Sequence, residues 1–233
     1  MKVYPWTENE HHRQQWLRER LTSLTPGIRI LDAGAGELKN ARYCTHLDYV
    51  SQDFCQYKGA NQGAVADGLQ LVSWDTQRID LVSDITHIPA PDKSFDAILC
   101  SEVLEHVPEP SHALDEFERL LKPGGVLILT APFASLVHMA PYHYCSGFSR
   151  YWYEEHLTRR GFEVCELVPN GDWFSLLRQE VIRLGGEERR RGNWVWPLAY
   201  LLGFLTWGYG VLRRPRLYAD LACYGWHCMA VKR

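Results

Sequence analysis

The sequence predicts an α/β fold built on a doubly wound, mostly parallel sheet. Short apolar stretches alternate with helix-like segments along the chain, and four successive stretches end in polar side chains. Alternation of this kind indicates βαβ units, and parallel sheets bind their ligands at the carboxyl ends of the strands. We therefore expect the polar strand ends to line one crevice.

The first apolar stretch runs into a glycine-rich turn. Residues 30–36 read ILDAGAG and contain Asp32, Gly34 and Gly36. Glycines at such a turn let the backbone bend tightly and approach a bound ligand. Asp53 ends the next strand about twenty residues further on, a spacing at which a carboxylate reaches the hydroxyls of a ribose. The two motifs together predict nucleotide binding.

The other elements follow from periodicity and from turn residues. Glycines after the second strand break any regular period and predict a loop-rich crossover. Ser111 is a suitable N-cap for a helix that reaches Leu121, and Gly161 suits the end of a later helix. Strands are predicted over residues 28–32, 47–52, 79–83, 95–100, 126–130, 162–168 and 224–231, and further helices over residues 8–24, 38–44 and 154–160.

Two longer strings complete the pattern. FDAILCSEVLEHVPEP begins at Phe95, and LDEFERLLKPGGVLIL begins at Leu114. With the motifs above, they resemble the class I S-adenosylmethionine-dependent methyltransferases, especially the small-molecule (methyltransferase type 11) group that includes ubiquinone-pathway enzymes. The likeness covers residues 28–168 and the last ten residues. It implies a Rossmann-like αβα sandwich with a seven-stranded, mostly parallel sheet and an antiparallel final strand, and it implies S-adenosylmethionine as the cofactor.

The resemblance also implies the cofactor contacts. The first motif would hold the methionine moiety, and the acid after the second strand would hold the ribose. The pair after the third strand would contact the adenine, and the pair after the fourth would flank the reacting end. In that order, the implied residues are Asp32, Ala33, Gly34 and Gly36, then Asp53, then Asp84 and Ile85, then Ser101 and Glu102.

A closer likeness follows the fifth predicted strand. The segment APFASLVHMAPYHYCSGFSRYWYEEHLTRRGFEV resembles methyltransferases encoded with polysaccharide and lipid-glycan biosynthesis genes. This chain departs from them at residues 145–147, where Cys-Ser-Gly replaces an expected Arg or Tyr. The likeness implies a small-molecule, glycan or lipid-linked acceptor, which we expect to be methylated at oxygen.

An oxygen acceptor must lose its proton, and histidine is the side chain best matched to that task near neutral pH. His143 and His138 are the predicted catalytic residues because both follow the fifth strand, and His106 after the fourth strand is a further candidate. Each of the three also suits a histidine bonded to the backbone or packed among aromatic residues. No metal site is predicted, since the fourth strand is not followed by a convincing carboxylate set.

Composition and charge restrict the class of protein. A single domain over residues 1–233 is predicted, with an N-terminal helical cap over residues 1–27 and a helical, apolar insertion over residues 170–222. The net charge of -3 gives no electrostatic footprint for nucleic acid. Seven cysteines without a Cys-x-x-Cys pair, and a charged N-terminus without an apolar signal segment, predict a cytoplasmic location.

The insertion contains an unusual apolar segment. Residues 194–212 carry no charge, and arginines flank them on both sides. The length suits a membrane span, but a span would separate the last two strands of the sheet. Pro197 and Gly203 should also weaken a long helix. Two interpretations remain: peripheral contact with the inner face of a membrane or with a lipid substrate, and a lid or homodimer surface.

Three other functions fit parts of the pattern. A nicotinamide-dependent dehydrogenase would need a third glycine where Lys39 stands. A non-catalytic methyltransferase-like adaptor would typically have lost the glycines or the acids. An aminopropyl or carboxymethyl transferase that uses a related cofactor would keep them, and the mass of its product distinguishes it.

Overall fold

The structure is a computed structural model that describes residues 8–57, 59, 75–212 and 218–233. These residues form a seven-stranded sheet in the order β3-β2-β1-β4-β5-β7-β6. The first five strands in this order, β3-β2-β1-β4-β5, are parallel to their neighbours, whereas β7 is antiparallel to both β5 and β6. The strands are β1 Arg29–Ala33, β2 Asp48–Asp53, β3 Leu81–Val82, β4 Phe95–Ser101, β5 Leu121–Pro132, β6 Phe162–Asn170 and β7 Gly225–Lys232.

Five α-helices are described, and three of them cover the sheet. They are α1 Asn9–Thr22, α2 Pro110–Leu120, α3 Arg150–Arg159, α4 Trp173–Arg190 and α5 Trp196–Leu212. The buried side chains of α1 join the core on one face of the sheet, and those of α2 and α3 join the core on the other. The predicted αβα sandwich and its antiparallel final strand are therefore confirmed.

Several predicted boundaries were wrong. The helix over residues 38–44 is a single 3-10 turn, Ala41–Tyr43. Helix α2 begins at Pro110 rather than after a Ser111 cap, because proline's fixed φ suits a first helical turn. Helix α3 starts four residues earlier than predicted, and β5 extends back through residues 122–125, which bulge between two registers with β4. The crossover residues Asn61, Gly63 and Gly68 lie outside the described residues.

The apolar segment forms one uninterrupted helix, α5, which packs against α4 as a helical hairpin between β6 and β7. The expectation that Pro197 and Gly203 weaken this helix was wrong. Pro197 lies in the first turn, where its missing N–H costs nothing. A Cβ on Gly203 would lie 2.9 Å from Cγ1 of Ile182, so this glycine permits close contact between the helices.

The outer surface of this hairpin is strongly apolar. Among the described residues, no helix is both long enough and apolar enough to span a membrane. Much of α5 nevertheless faces away from the protein, so burial within the chain does not explain its composition. Its large exposed side chains are Leu198, Leu201, Leu202, Phe204, Leu205, Trp207, Tyr209, Val211 and Leu212.

Helix α1 is fastened to β6 by one carboxylate. Glu166 accepts hydrogen bonds from Nε and Nη2 of Arg20, each at 2.7 Å, and from Nε1 of Trp16 at 3.1 Å. The Arg20 hydrogen bonds hold the pKa of Glu166 below its usual range. This anchor matters for the site because α1 also carries Arg13, which reaches the end of β4.

We expect Glu166→Gln to lower the free energy of unfolding by about 1 kcal/mol at pH 7, because the bidentate ion pair loses its charge. Urea denaturation monitored by circular dichroism measures the change. Glu163→Gln is the matched control, since Glu163 lies on the same strand and pairs with an exposed Arg233. Equal effects of the two substitutions would contradict a special role for Glu166.

Candidate active site

A cavity of about 270 Å³ lies at the carboxyl ends of β1, β2 and β4. Five of the predicted cofactor residues line it: Gly34, Asp53, Asp84, Ile85 and Glu102. The other lining residues are Gln52, Phe54, Gln56, Val103, His106, Val107, Pro108, Met139, Tyr142 and Tyr144. The cavity therefore joins the predicted cofactor motifs to the segment that follows β5.

The glycine turn brings its backbone to the cavity wall. Gly34 has φ +79°, and a Cβ there would lie 2.4 Å from Cγ2 of Val103. The N–H groups of Gly34 and Ala35 each donate to the carbonyl oxygen of Gln52 at 2.9 Å. Only glycine satisfies both the left-handed backbone and the close approach to Val103.

Asp53 is 3% exposed, and two backbone groups fix its carboxylate. The N–H of Gly36 donates to Oδ2 at 3.0 Å, and the N–H of Cys55 donates to Oδ1 at 2.8 Å. A carboxylate oxygen can accept more than one hydrogen bond, so each oxygen of Asp53 can accept another. The arrangement therefore leaves an oriented acceptor pair that fits the two hydroxyls of a ribose.

Four predicted cofactor residues do not line the cavity: Asp32, Ala33, Gly36 and Ser101. Asp32 is buried and accepts a hydrogen bond from the hydroxyl of Tyr49 at 2.6 Å, and burial raises the pKa of Asp32 to about 7. Gly36 acts on the site through Asp53, and Ser101 through Thr130. Their predicted contacts with the cofactor stay predictions.

Glu102 has a constrained backbone beside the cavity. Its φ of +56° lies in the left-handed region, which is strained for a residue with a side chain. Nη1 of Arg13 donates to Oε2 at 3.1 Å, and the hydroxyl of Thr130 donates to Oε1 at 3.0 Å. Ser101 bonds to the same Thr130 hydroxyl at 2.8 Å. The network holds Glu102 at the end of β4 where the resemblance implied it.

The segment after β5, residues 133–149, closes the side of the cavity opposite the glycine turn. Its backbone is fastened to the turn after β4, because the N–H groups of Tyr144 and Cys145 donate to the carbonyl of Glu105 at 2.9 and 3.2 Å. The ring of Tyr142 meets Phe54 edge to face, with centroids 5.1 Å apart. Aromatic side chains thus cover the part of the cavity opposite the glycine turn.

Three histidines meet at this covering segment. The ring centroid of His138 lies 4.6 Å from that of His106 and 4.9 Å from that of His143. Of the three, only His106 lines the cavity. Burial lowers the pKa of His106 to about 4 and also lowers the pKa of His143. The predicted catalytic residues His143 and His138 are therefore placed behind His106, and their role stays a prediction.

Glu105 lies next to His106 in the turn after β4. Its carboxyl is almost fully buried, and burial with the nearby charge of Glu102 raises its pKa well above the usual range. Oε1 lies 3.7 Å from Nε2 of His106, and Oε2 has no hydrogen-bond partner among the described residues. A buried carboxyl in this state is costly unless a ligand compensates it.

Comparisons with known proteins agree with the site. The methyltransferase domain family model matches residues 31–129. The demethylmenaquinone methyltransferase of Clavibacter sepedonicus is 35% identical over 121 residues, which cover 50% of this chain and 46% of that protein. The ubiquinone biosynthesis O-methyltransferase of Xylella fastidiosa (strain M23) is 35% identical over 112 residues, covering 45% of this chain and 42% of that protein. The chain thus spans less than half the length of these two relatives.

A solved structure of similar fold is phosphoethanolamine N-methyltransferase 2 of Haemonchus contortus in complex with S-adenosylmethionine. Its TM-score is 0.53 at 15% identity, and the match covers 95% of this chain and 52% of that one. Residues 31–129 thus match a methyltransferase domain, and the described residues share the fold of a solved methyltransferase that binds S-adenosylmethionine, in agreement with the class I motifs. S-adenosylmethionine is the cofactor of this class, and the geometry of Gly34 and Asp53 fits it.

Sequence reasoning missed three contributors to the site. Gln52 directly precedes Asp53 and had a usable signal, since it lies in the same strand. Arg13 lies 89 residues before its partner Glu102, and no local pattern connects them. Tyr142 lies in the segment after β5, and its contact with the cavity depends on how that segment folds back.

We expect Gly34→Ala to weaken S-adenosylmethionine binding by more than about tenfold, because the added Cβ collides with Val103 and displaces the turn. Calorimetric titration measures the affinity. Gly124→Ala is the control, because Gly124 has the same φ of +79° with no atom within 4 Å of an added Cβ. The interpretation fails if both variants bind the cofactor as the wild type does.

Proposed function

We propose that this chain is an S-adenosylmethionine-dependent methyltransferase that transfers a methyl group to a hydroxyl of a glycan or lipid-linked acceptor at a membrane surface. The observation that carries the proposal is one cavity with two different walls. The glycine turn and Asp53 form one wall, and the aromatic segment with His106 forms the other. A cofactor and an acceptor can therefore meet in the same enclosed space.

The residues of the first wall would bind and orient the cofactor. Asp53 would accept hydrogen bonds from the ribose, and Asp84 with the buried Ile85 would contact the adenine. When bound, S-adenosylmethionine supplies a methyl group on a cationic sulfur, so the protein needs no covalent nucleophile. The Gly34 turn, held against Val103, would keep the methionine moiety in line with the acceptor.

The second wall would position the acceptor and exclude water. Tyr142 and Met139 close the cavity, and the half-exposed Tyr144 stands at its edge. The relatives named above are quinone-pathway methyltransferases, one of them an O-methyltransferase, which supports an oxygen acceptor. His143 and His138, together with His106, are proposed to activate that hydroxyl.

We expect Asp53→Asn to weaken S-adenosylmethionine binding by about tenfold or more, because a hydrogen bond to a charged group contributes roughly 1.5–3 kcal/mol. The amide also places an N–H group against the N–H of Gly36 or Cys55. Calorimetry on the full chain measures the affinity, with the exposed Asp75→Asn as control. Equal affinities of the two variants would contradict the ribose contact.

The reaction itself is tested by incubating the protein with S-adenosylmethionine and hydroxylated acceptors, beginning with lipid-linked glycans. Mass spectrometry of the product should show the gain of one methyl group. A gain of an aminopropyl or carboxymethyl group would instead establish the alternative transferases. Absence of S-adenosylmethionine binding, in a protein that binds a methyltransferase partner, would establish the adaptor.

The α4–α5 hairpin supports the membrane part of the proposal. Leu201, Leu202 and Phe204 are 53%, 47% and 62% exposed on its surface. Arg189 lies over the ring of Trp196 at 5.2 Å, which pairs a cation with an aromatic side chain as interfacial segments do. Basic residues next to an exposed apolar helix fit the headgroup layer of an anionic membrane.

The wild-type protein is expected to float with vesicles of phosphatidylcholine and phosphatidylglycerol. Replacement of Leu201, Leu202 and Phe204 by Ser should release it, because the variant loses the apolar area that would enter the bilayer. The control is Leu221→Ser, which alters an equally exposed leucine outside the hairpin. Failure of the wild type to float, or a stable dimer that the triple variant disrupts, would favour a homodimer surface over membrane contact.

A further inference from the structure

Three imidazoles converge from two separate segments. His106 lies on the 3-10 turn Leu104–His106 after β4, whereas His138 and His143 lie on the segment after β5. One ring nitrogen of each histidine lies within 4.8 Å of those of the other two. Neighbouring imidazoles stabilise one another only weakly, so the convergence of three of them needs a physical reason.

The hydrogen bonds of two rings fix which nitrogen is available. Nδ1 of His106 lies 2.5 Å from the carbonyl oxygen of Tyr142, and Nδ1 of His138 lies 2.9 Å from that of Leu136. A carbonyl oxygen only accepts, so Nδ1 carries the proton in both rings. The nitrogen left with a lone pair is Nε2. Backbone carbonyls commonly orient metal-binding histidines in this way.

The third ring has no such partner. Both ring nitrogens of His143 are buried, and neither has a hydrogen-bond partner among the described residues. An unsatisfied buried polar group costs roughly 1–3 kcal/mol. Oε2 of Glu105 beneath the trio is likewise buried without a partner in the described part of the chain. A bound ligand would satisfy both groups.

We propose that His106, His138 and His143 bind one divalent transition-metal ion, of which Zn²⁺ is the best match. Three neutral imidazoles with an open fourth position are a known ligand set of catalytic zinc sites. Tetrahedral zinc with bonds of about 2.05 Å separates its nitrogens by about 3.3 Å. The rings therefore need to converge by at most about 1.5 Å, which side-chain rotation supplies.

The nearby carboxyl suits this assignment. Oε1 of Glu105 lies 3.7 Å from Nε2 of His106. A dication beside Glu105 would compensate its buried carboxyl, and the ionised carboxylate would balance part of the ion's charge. The sequence did not predict a metal site, because the fourth strand is not followed by a convincing carboxylate set and the three histidines come from two separate loops.

The site also deepens the proposed function, and this consequence rests on it. Because His106 lines the cavity, the ion would lie at the acceptor side. A hydroxyl on its open position would release its proton to solvent water more readily, since a bound cation stabilises the alkoxide. The three histidines would then activate the acceptor as ligands rather than as separate bases.

The test is calorimetric titration of Zn²⁺ into the full chain after removal of bound metal with a chelator. We expect one ion per chain for the wild type, and affinity at least about tenfold weaker for His138→Gln and for His143→Gln, because each loses a ligand. His156→Gln is the control, since His156 is a partly buried histidine that stacks on Trp152 outside the trio. Co²⁺ in place of Zn²⁺ should give visible absorption in the wild type and not in the two trio variants.

The inference would be overturned if the wild type had no Zn²⁺ site, or if both trio variants bound Zn²⁺ as tightly as the wild type does. Circular dichroism and S-adenosylmethionine binding check that each variant folds, and either trio variant alone suffices for the comparison. Absence of Zn²⁺ binding by the wild type with its cofactor binding intact would overturn this inference alone. Metal binding without cofactor binding would overturn the proposed function alone.

Discussion

The side-chain amide of Gln52 connects the ends of β1, β2 and β3. The cavity wall formed by the glycine turn and Asp53 depends on this connection. Its Oε1 accepts the N–H of Gly34 at 3.2 Å, and its Nε2 donates to the carbonyl of Ser83 at 2.7 Å. The side chain is 1% exposed, so these bonds form in a region of low dielectric where they are strong. The glycine turn, Asp53 and the segment before Asp84 therefore keep fixed positions relative to one another.

A second constraint comes from the N-terminal helix. Glu166 fastens α1 to β6, and the same helix delivers Arg13 to Glu102 across the sheet. The left-handed backbone of Glu102 persists because Arg13 and Thr130 restrain its carboxylate. The geometry of Glu102 at the cavity thus depends on a helix that contributes no residue to the cavity lining.

The sequence predicted the fold class, and it predicted five residues that the structure brings to one cavity, because both depend on local patterns. The turn after β1 needs glycine at Gly34, and Asp53 ends the adjacent strand, so spacing alone connects them. The helix boundaries were less predictable, since Pro110 rather than Ser111 starts α2. Contacts between distant segments, such as Arg13 with Glu102 or His106 with His138, have no local signature. Only the folded chain reveals them.

The pairing of β7 has a structural consequence for the hairpin. β7 lies between β5 and β6 and pairs with both, so the chain leaves the sheet at the end of β6 and returns beside the same strand. The α4–α5 hairpin is therefore an insertion whose two ends are fixed by strands β6 and β7. Insertions, deletions or substitutions in the hairpin need not move Gly34 or Asp53. Such a layout separates the exposed surface of the hairpin from the cavity, so a change in one need not disturb the other.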